Sequence, residues 1–153
     1  MWLAARLAVA GFKSQKAIER RLDWYERMHH AIAQTKLWYA RSAVPEASVS
    51  GSEAAEIRNG THQSLYELMA VSAEAAIYAQ QGGSDAVVSM RFMLGDIEEE
   101  WEGKPSTLAK VNRITSLLQS TSDVLANEVR LEMKLGDLVP QKRHKPLSDY
   151  VQK

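Results

Sequence analysis

The sequence predicts an all-α protein, an antiparallel helical bundle of about four helices with a long first helix. Apolar residues recur three, four or seven apart through most of the chain, the repeat of a helix with one buried face. Three stretches, "VPEASVSGSE", "QQGGSD" and "EGKPST", break that repeat with turn-forming residues. Strand signal is slight and no internal repeat occurs, which leaves helix packed on helix as the architecture.

The first helix is expected from Met1 to about Ala43, a span with no proline and only one glycine, Gly11. Ile18, Leu22, Tyr25, Ile32 and Tyr39 form its apolar stripe, with Met28 and Thr35 beside it. Pro45 ends it, because proline disfavours the α conformation in the residue before it. Ser50, with Glu53 three residues on, is a capping box for a second helix running to about Gln80. Its stripe is Ile57, Thr61, Leu65, Leu68, Ser72, Ala75 and Ala79, and its alanines allow close helix approach. "QQGGSD" breaks that helix, and Ser84 is placed to cap a third, Asp85 to Glu102, with Val87, Met90, Leu94, Ile97 and Trp101 inward. A fourth, Thr107 to Leu135, turns Val111, Ile114, Leu118, Leu125 and Val129 to the core. Gly136 suits a left-handed C-cap there, with Leu138 packing back. The bundle is thus assigned to residues 1–139, with 1–12 as an extension and 140–153 as a loose basic tail.

A chain of 153 residues suffices for one domain with its own core. With no cysteine, disulfide scaffolds, zinc-thiolate and iron–sulfur sites and a thiol nucleophile are excluded. Their absence suits a reducing compartment, so the expected location is cytoplasmic. Nineteen basic and nineteen acidic residues cancel, which argues against polyanion binding by bulk charge. The signs are nonetheless grouped. Residues 1–43 carry eight Lys/Arg against three Asp/Glu, residues 44–102 two against eleven, and residues 103–153 nine against five. An acidic middle can therefore lie against basic flanks.

"MWLAARLAVAGFKSQKAIERR" opens the chain and is apolar to Phe12 except for Arg6. Twelve helical residues span about 18 Å, short of a hydrocarbon core of about 30 Å, so no full crossing is encoded here. Nor is there a small-residue cleavage site, and charge follows the apolar run instead of preceding it. Lys13, Lys16, Arg20 and Arg21 come where the cytoplasmic exit of a membrane helix would place them, and Trp2 and Phe12 suit an interface. Three readings stay open: Leu3 and Leu7 extend the core stripe, they form a shallow anchor, or they meet a partner helix.

"FKSQKAIERRLDWYERMHHAIAQTK" resembles the juxtamembrane region of a loose group of small uncharacterised bacterial proteins. Those carry an N-terminal membrane helix, a pattern near Q-K-x-x-E-[KR]-[KR]-x-x-x-Y and a cytosolic helical domain. Gln15, Lys16, Glu19, Arg20, Arg21 and Tyr25 match the pattern, and "LANEVRLEMKLGDL" resembles the closing helix of the group. The resemblance implies attachment at the inner face of a membrane and no particular activity. This chain departs from the group in holding only half of the membrane span.

Chemistry is thinly signalled. Glu26 and His29, three apart, share a helix face as ligands of carboxylate-bridged metal bundles do, with Glu74 as a third candidate. A second copy of that spacing is missing, since Asn59 and Gln141 precede His62 and His144 by three. "DIEEEWE" spreads its acids around a helix and reads as a solvated face with Ile97 and Trp101 inward. No phosphate-binding loop, nucleophile elbow or HExxH motif occurs. Trp24, Tyr25, Trp38 and Tyr39 flank basic residues of the first helix, a nucleic-acid pattern only if the rings are exposed.

These observations favour a non-enzymatic interaction module with a protein partner or self-association, no catalytic residues and no cofactor, with attachment to the cytoplasmic face of a membrane through the first helix as one of the open readings. A metal-binding bundle enzyme using Glu26 and His29 is one alternative. A nucleic-acid-complex subunit using the basic first helix is the other.

Overall fold

The computed structural model describes the backbone of residues 2–132 and the side chains of residues 14–131, residue 46 excepted. The elements are α1 (Trp2–Ser42), α2 (Gly51–Ser72), the single turn α3 (Ala75–Tyr78), α4 (Gln81–Glu100) and α5 (Leu108–Glu132). A 3-10 turn, Glu46–Ser48, lies between α1 and α2. The all-α bundle expected from the apolar period is the fold of the described residues, which contain no strand. Gly136, Leu138 and the tail 140–153 lie outside them.

Side-chain pairs fix how the helices lie. Thr35 Oγ1 donates to Ser64 O at 3.1 Å and Arg41 meets Glu56 at 3.5 Å, so residue number falls along α2 as it rises along α1. The same opposed sense relates α1 and α5, where Tyr25 reaches Glu128, His29 reaches Ser122 and Lys36 reaches Gln119. Packed against α5, α4 pairs Glu98 with Lys110 near its end and Gly83 with Glu128 near its start. Trp24, Met28, Leu68, Met90, Leu94, Ile114, Leu118 and Leu125 are fully buried between them. Gly60 lets α1 and α2 close up: a Cβ there would stand 2.5 Å from the Trp38 indole.

Most of the expected stripes face inward. Tyr25, Ile32 and Tyr39 of α1 are buried, as are Val87, Met90, Leu94 and Ile97 of α4 and Val111, Ile114, Leu118 and Leu125 of α5. Ile18 is the exception at 41% exposed, and every residue from Ser14 to Arg20 is exposed. At 41 residues α1 is about 60 Å long, against about 30 Å for the 20 residues of α4. Its stripe continues past the described residues of α2 and α5 that cover it.

Two helix boundaries differ from those expected, and both are set by side chains far away in sequence. Ser50 caps α2 as anticipated, accepting from Glu53 N at 3.2 Å. The helix stops at Ser72, however, and does not run to Gln80. The Trp24 indole N–H donates to Val71 O at 3.0 Å, Arg27 holds Glu74 in the break, and Ala75 is buried at the start of α3. The next helix starts at Gln81, ahead of the predicted Asp85, and takes both glycines of "QQGGSD" into its first turn. Ser84 is therefore not its cap.

Candidate functional site

The candidate metal ligands do not converge. Glu26 is exposed. His29 points to α5, its Nδ1 3.0 Å from Ser122 Oγ, and burial lowers its pKa while Asp123 partly opposes the shift. Glu74 forms a two-pronged pair with Arg27, at 2.8 and 3.1 Å, which holds its carboxyl below the usual range. Among the described residues no three His, Asp or Glu side chains are grouped as a metal ion requires.

The aromatic face suggested for nucleic acid is dismantled by packing. Trp24, Tyr25 and Tyr39 are at most 2% exposed. Trp38 is half-buried, with the Arg41 guanidinium 4.5 Å from its ring centre. Of the expected membrane or partner contacts, Lys16 and Arg20 are exposed and Arg21 is half-buried. Trp2, Leu3, Leu7, Phe12 and Lys13 lie on the α1 backbone, and their side chains fall outside the described residues. No helix among the described residues is long and apolar enough to cross a membrane.

Polar chemistry is instead concentrated at two places where α1, α4 and α5 meet. At the first, the Glu128 carboxylate accepts from Tyr25 Oη at 2.7 Å, Gln80 N at 3.2 Å and Gly83 N at 2.5 Å. Gln80 is the N-cap residue of α4 but makes no capping bond with its own side chain. A carboxylate from another helix satisfies the start of α4, where unpaired N–H groups and the helix dipole favour negative charge. Gly83 is required for this approach: a Cβ would lie 2.3 Å from Glu128 Oε2.

At the second, Tyr39 Oη donates to Glu98 Oε1 at 2.6 Å and Lys110 Nζ to Glu98 Oε2 at 2.9 Å. Burial raises the Tyr39 pKa, and the neighbouring Glu98 raises it further. This trio borders a cleft of about 320 Å³ at the end of the bundle. The end of α1, the loop before α2, the first turns of α2 and the α4–α5 loop enclose it. Gly103, in that last loop, has a φ of 69°, the left-handed region in which a side chain is disfavoured. Ser42 Oγ donates to Tyr39 O at 2.7 Å, so the 3.1 Å contact between Ser42 and Ser106 uses the Ser106 proton and ties the loop to α1.

Comparison of the chain with protein-family models, curated proteins and solved structures finds no match. The residues that the sequence reading missed were nevertheless signalled. Lys110, Ile114, Leu117, Thr121, Leu125 and Glu128 follow one another three or four apart, all buried. An ionisable group at each end of a core stripe marks a polar contact inside the fold. Glu98, placed by its neighbours in a solvated face, is recruited inward by Tyr39 and Lys110.

Proposed function

We propose that this protein is a non-enzymatic helical interaction module whose first helix docks on the anionic, cytoplasmic face of a membrane. The observation that carries the reading is the projecting part of α1, exposed on every side from Ser14 to Arg20. A regular helix that no other described element covers has no packing reason among the described residues to extend so far, and helical stability normally comes from a buried face. The sequence before it is apolar, Lys13, Lys16, Arg20 and Arg21 follow, and the resemblance of Gln15 to Tyr25 to a juxtamembrane pattern supports the same role. Cations near an anionic surface contribute about 1 kcal/mol each, and apolar side chains inserted at the headgroup level add to that. The scattered positions of Glu26, His29 and Glu74 lend no support to the metal-enzyme alternative, and the buried rings of α1 lend none to the nucleic-acid one.

Flotation with vesicles tests the proposal. The protein should rise with anionic vesicles at low salt, weakly with neutral ones, and less as salt screens the attraction. Changing Leu3 and Leu7 together to Ser should weaken flotation further. Protein that stays at the bottom with anionic vesicles at low salt overturns the membrane reading. If the same double change dissociates an oligomer in light scattering, the projecting helix belongs to a protein partner.

A further inference from the structure

We infer that the cleft beside Tyr39, Glu98 and Lys110 binds a small organic anion, its charged head on Lys110 and its apolar body against Val49, Ile57 and Pro105. The argument begins with an incomplete cation. Lys110 is only 8% exposed, yet an ammonium offers three donors, and Glu98 is its one hydrogen-bond acceptor among the described residues. The Tyr39 ring lies beneath the same nitrogen at 5.9 Å and supplies attraction but no lone pair. Buried donors without acceptors are costly, so the donors left over need water or a ligand on the cleft side.

The charge of the lining points the same way. Among the described residues, Arg58, Lys104 and Lys110 border the cleft together with the carboxylate of Glu98. Arg58 is one of only two cations between residues 44 and 102, so a basic residue of the acidic middle stands at this opening. Glu98 is already shared between Tyr39 and Lys110. His62, exposed at the edge, has no hydrogen-bond partner among the described residues. Val44, Pro45, Val49, Ile57 and Pro105 give the cleft apolar surface, interrupted by the hydroxyls of Ser42, Thr61 and Ser106. A volume of about 320 Å³ with a few convergent polar groups on apolar walls is the form of a small-molecule site, at the small end of the range. Inorganic phosphate would leave those walls wet, and a neutral hydrocarbon would leave the remaining donors of the ammonium unanswered. An anion with an apolar body satisfies both. The inference stands whether or not the projecting part of α1 binds a membrane.

Backbone-amide NMR titration with octanoate, octanol and inorganic phosphate tests it. Octanoate should bind saturably, moving the amides of Thr61, His62 and Ser106, with octanol and phosphate at least about tenfold weaker, as loss of a charge-assisted bond or of apolar burial implies. Lys110→Gln should weaken octanoate by at least about tenfold. Because Lys110 is also packed in the fold, Val49→Trp provides the second test, filling the cleft from its exposed loop and leaving the Tyr39–Glu98–Lys110 trio in place. Octanol binding as tightly as octanoate overturns the anion, shifts confined to other residues or unaffected by Val49→Trp overturn the site, and non-saturable titration overturns both.

Discussion

Tyr25 and Tyr39 stand fourteen residues apart on α1, both buried, and each donates its phenol to a glutamate of another helix. The two pairs are alike in chemistry and opposite in consequence. The carboxylate of Glu128 is completed by two backbone N–H groups at the start of α4, leaving a closed contact with no counterion among the described residues. Glu98 is completed by the ammonium of Lys110, which brings in more donors than the carboxylate can use and leaves them beside a cleft. A buried acid answered by fixed amides fastens the fold, whereas one answered by a long cationic side chain imports a surplus that something else must meet.

The largest effect expected from this contrast is on stability. Glu128→Ala removes the buried acceptor of the Tyr25 hydroxyl and the Gly83 amide and should cost about 3 kcal/mol in urea unfolding. Glu98→Ala should cost about 1 kcal/mol, because water entering the cleft can serve Tyr39 and Lys110. Equal losses would erase the distinction between a closed contact and an open one.

The adjacent glycines sharpen it. Gly83→Ala drives a Cβ to 2.3 Å from Glu128 Oε2 and should cost about 1–3 kcal/mol. A Cβ on Gly82 would stand 3.5 Å from Glu128 Oε1, an ordinary contact, so Gly82→Ala should be neutral or gain about 0.5 kcal/mol from reduced backbone entropy. Similar thermal melts for the two variants would refute the close approach of the carboxylate.

The smallest effect concerns His29, which faces Ser122 between the two tyrosines. Burial holds its pKa below the ordinary 6.5. The unfolded chain therefore takes up this proton first, so the contribution of neutral His29 is fully present above about pH 6.5 and is lost as the pH falls below it. Urea midpoints of the native protein should decline more steeply than those of His29→Gln on acidification from about pH 7.5 to 5.5. Parallel profiles would place the imidazole in water.

What the sequence disclosed and what it withheld divide along the same physical line. The four long helices and most of their core residues were legible because a 3.6-residue apolar period is a local property, as in Val87, Met90, Leu94 and Ile97. The break after Ser72 was not, since it depends on Trp24 and Arg27 meeting Val71 and Glu74 across 47 residues of chain. "QQGG" reads locally as a breaker, and only the arrival of Glu128 makes it the first turn of a helix. Ile18 continued the stripe in sequence, but no other helix among the described residues covers it. The cleft was invisible for the same reason: Tyr39, Glu98 and Lys110 come from three helices.

The reach of Glu128 also orders the assembly of the chain in time. Its bond to Tyr25 joins residues 103 apart, whereas Glu98–Lys110 spans 12 and Arg41–Glu56 spans 15. Short loops close first, so α1 with α2 and α4 with α5 can form as separate hairpins. Glu128 finds Tyr25 only when the two hairpins dock. That one bond is a latch between hairpins, and Tyr25→Phe, which removes it and keeps the Glu128 contacts to α4, should hasten unfolding in stopped-flow traces while leaving the folding rate nearly unchanged.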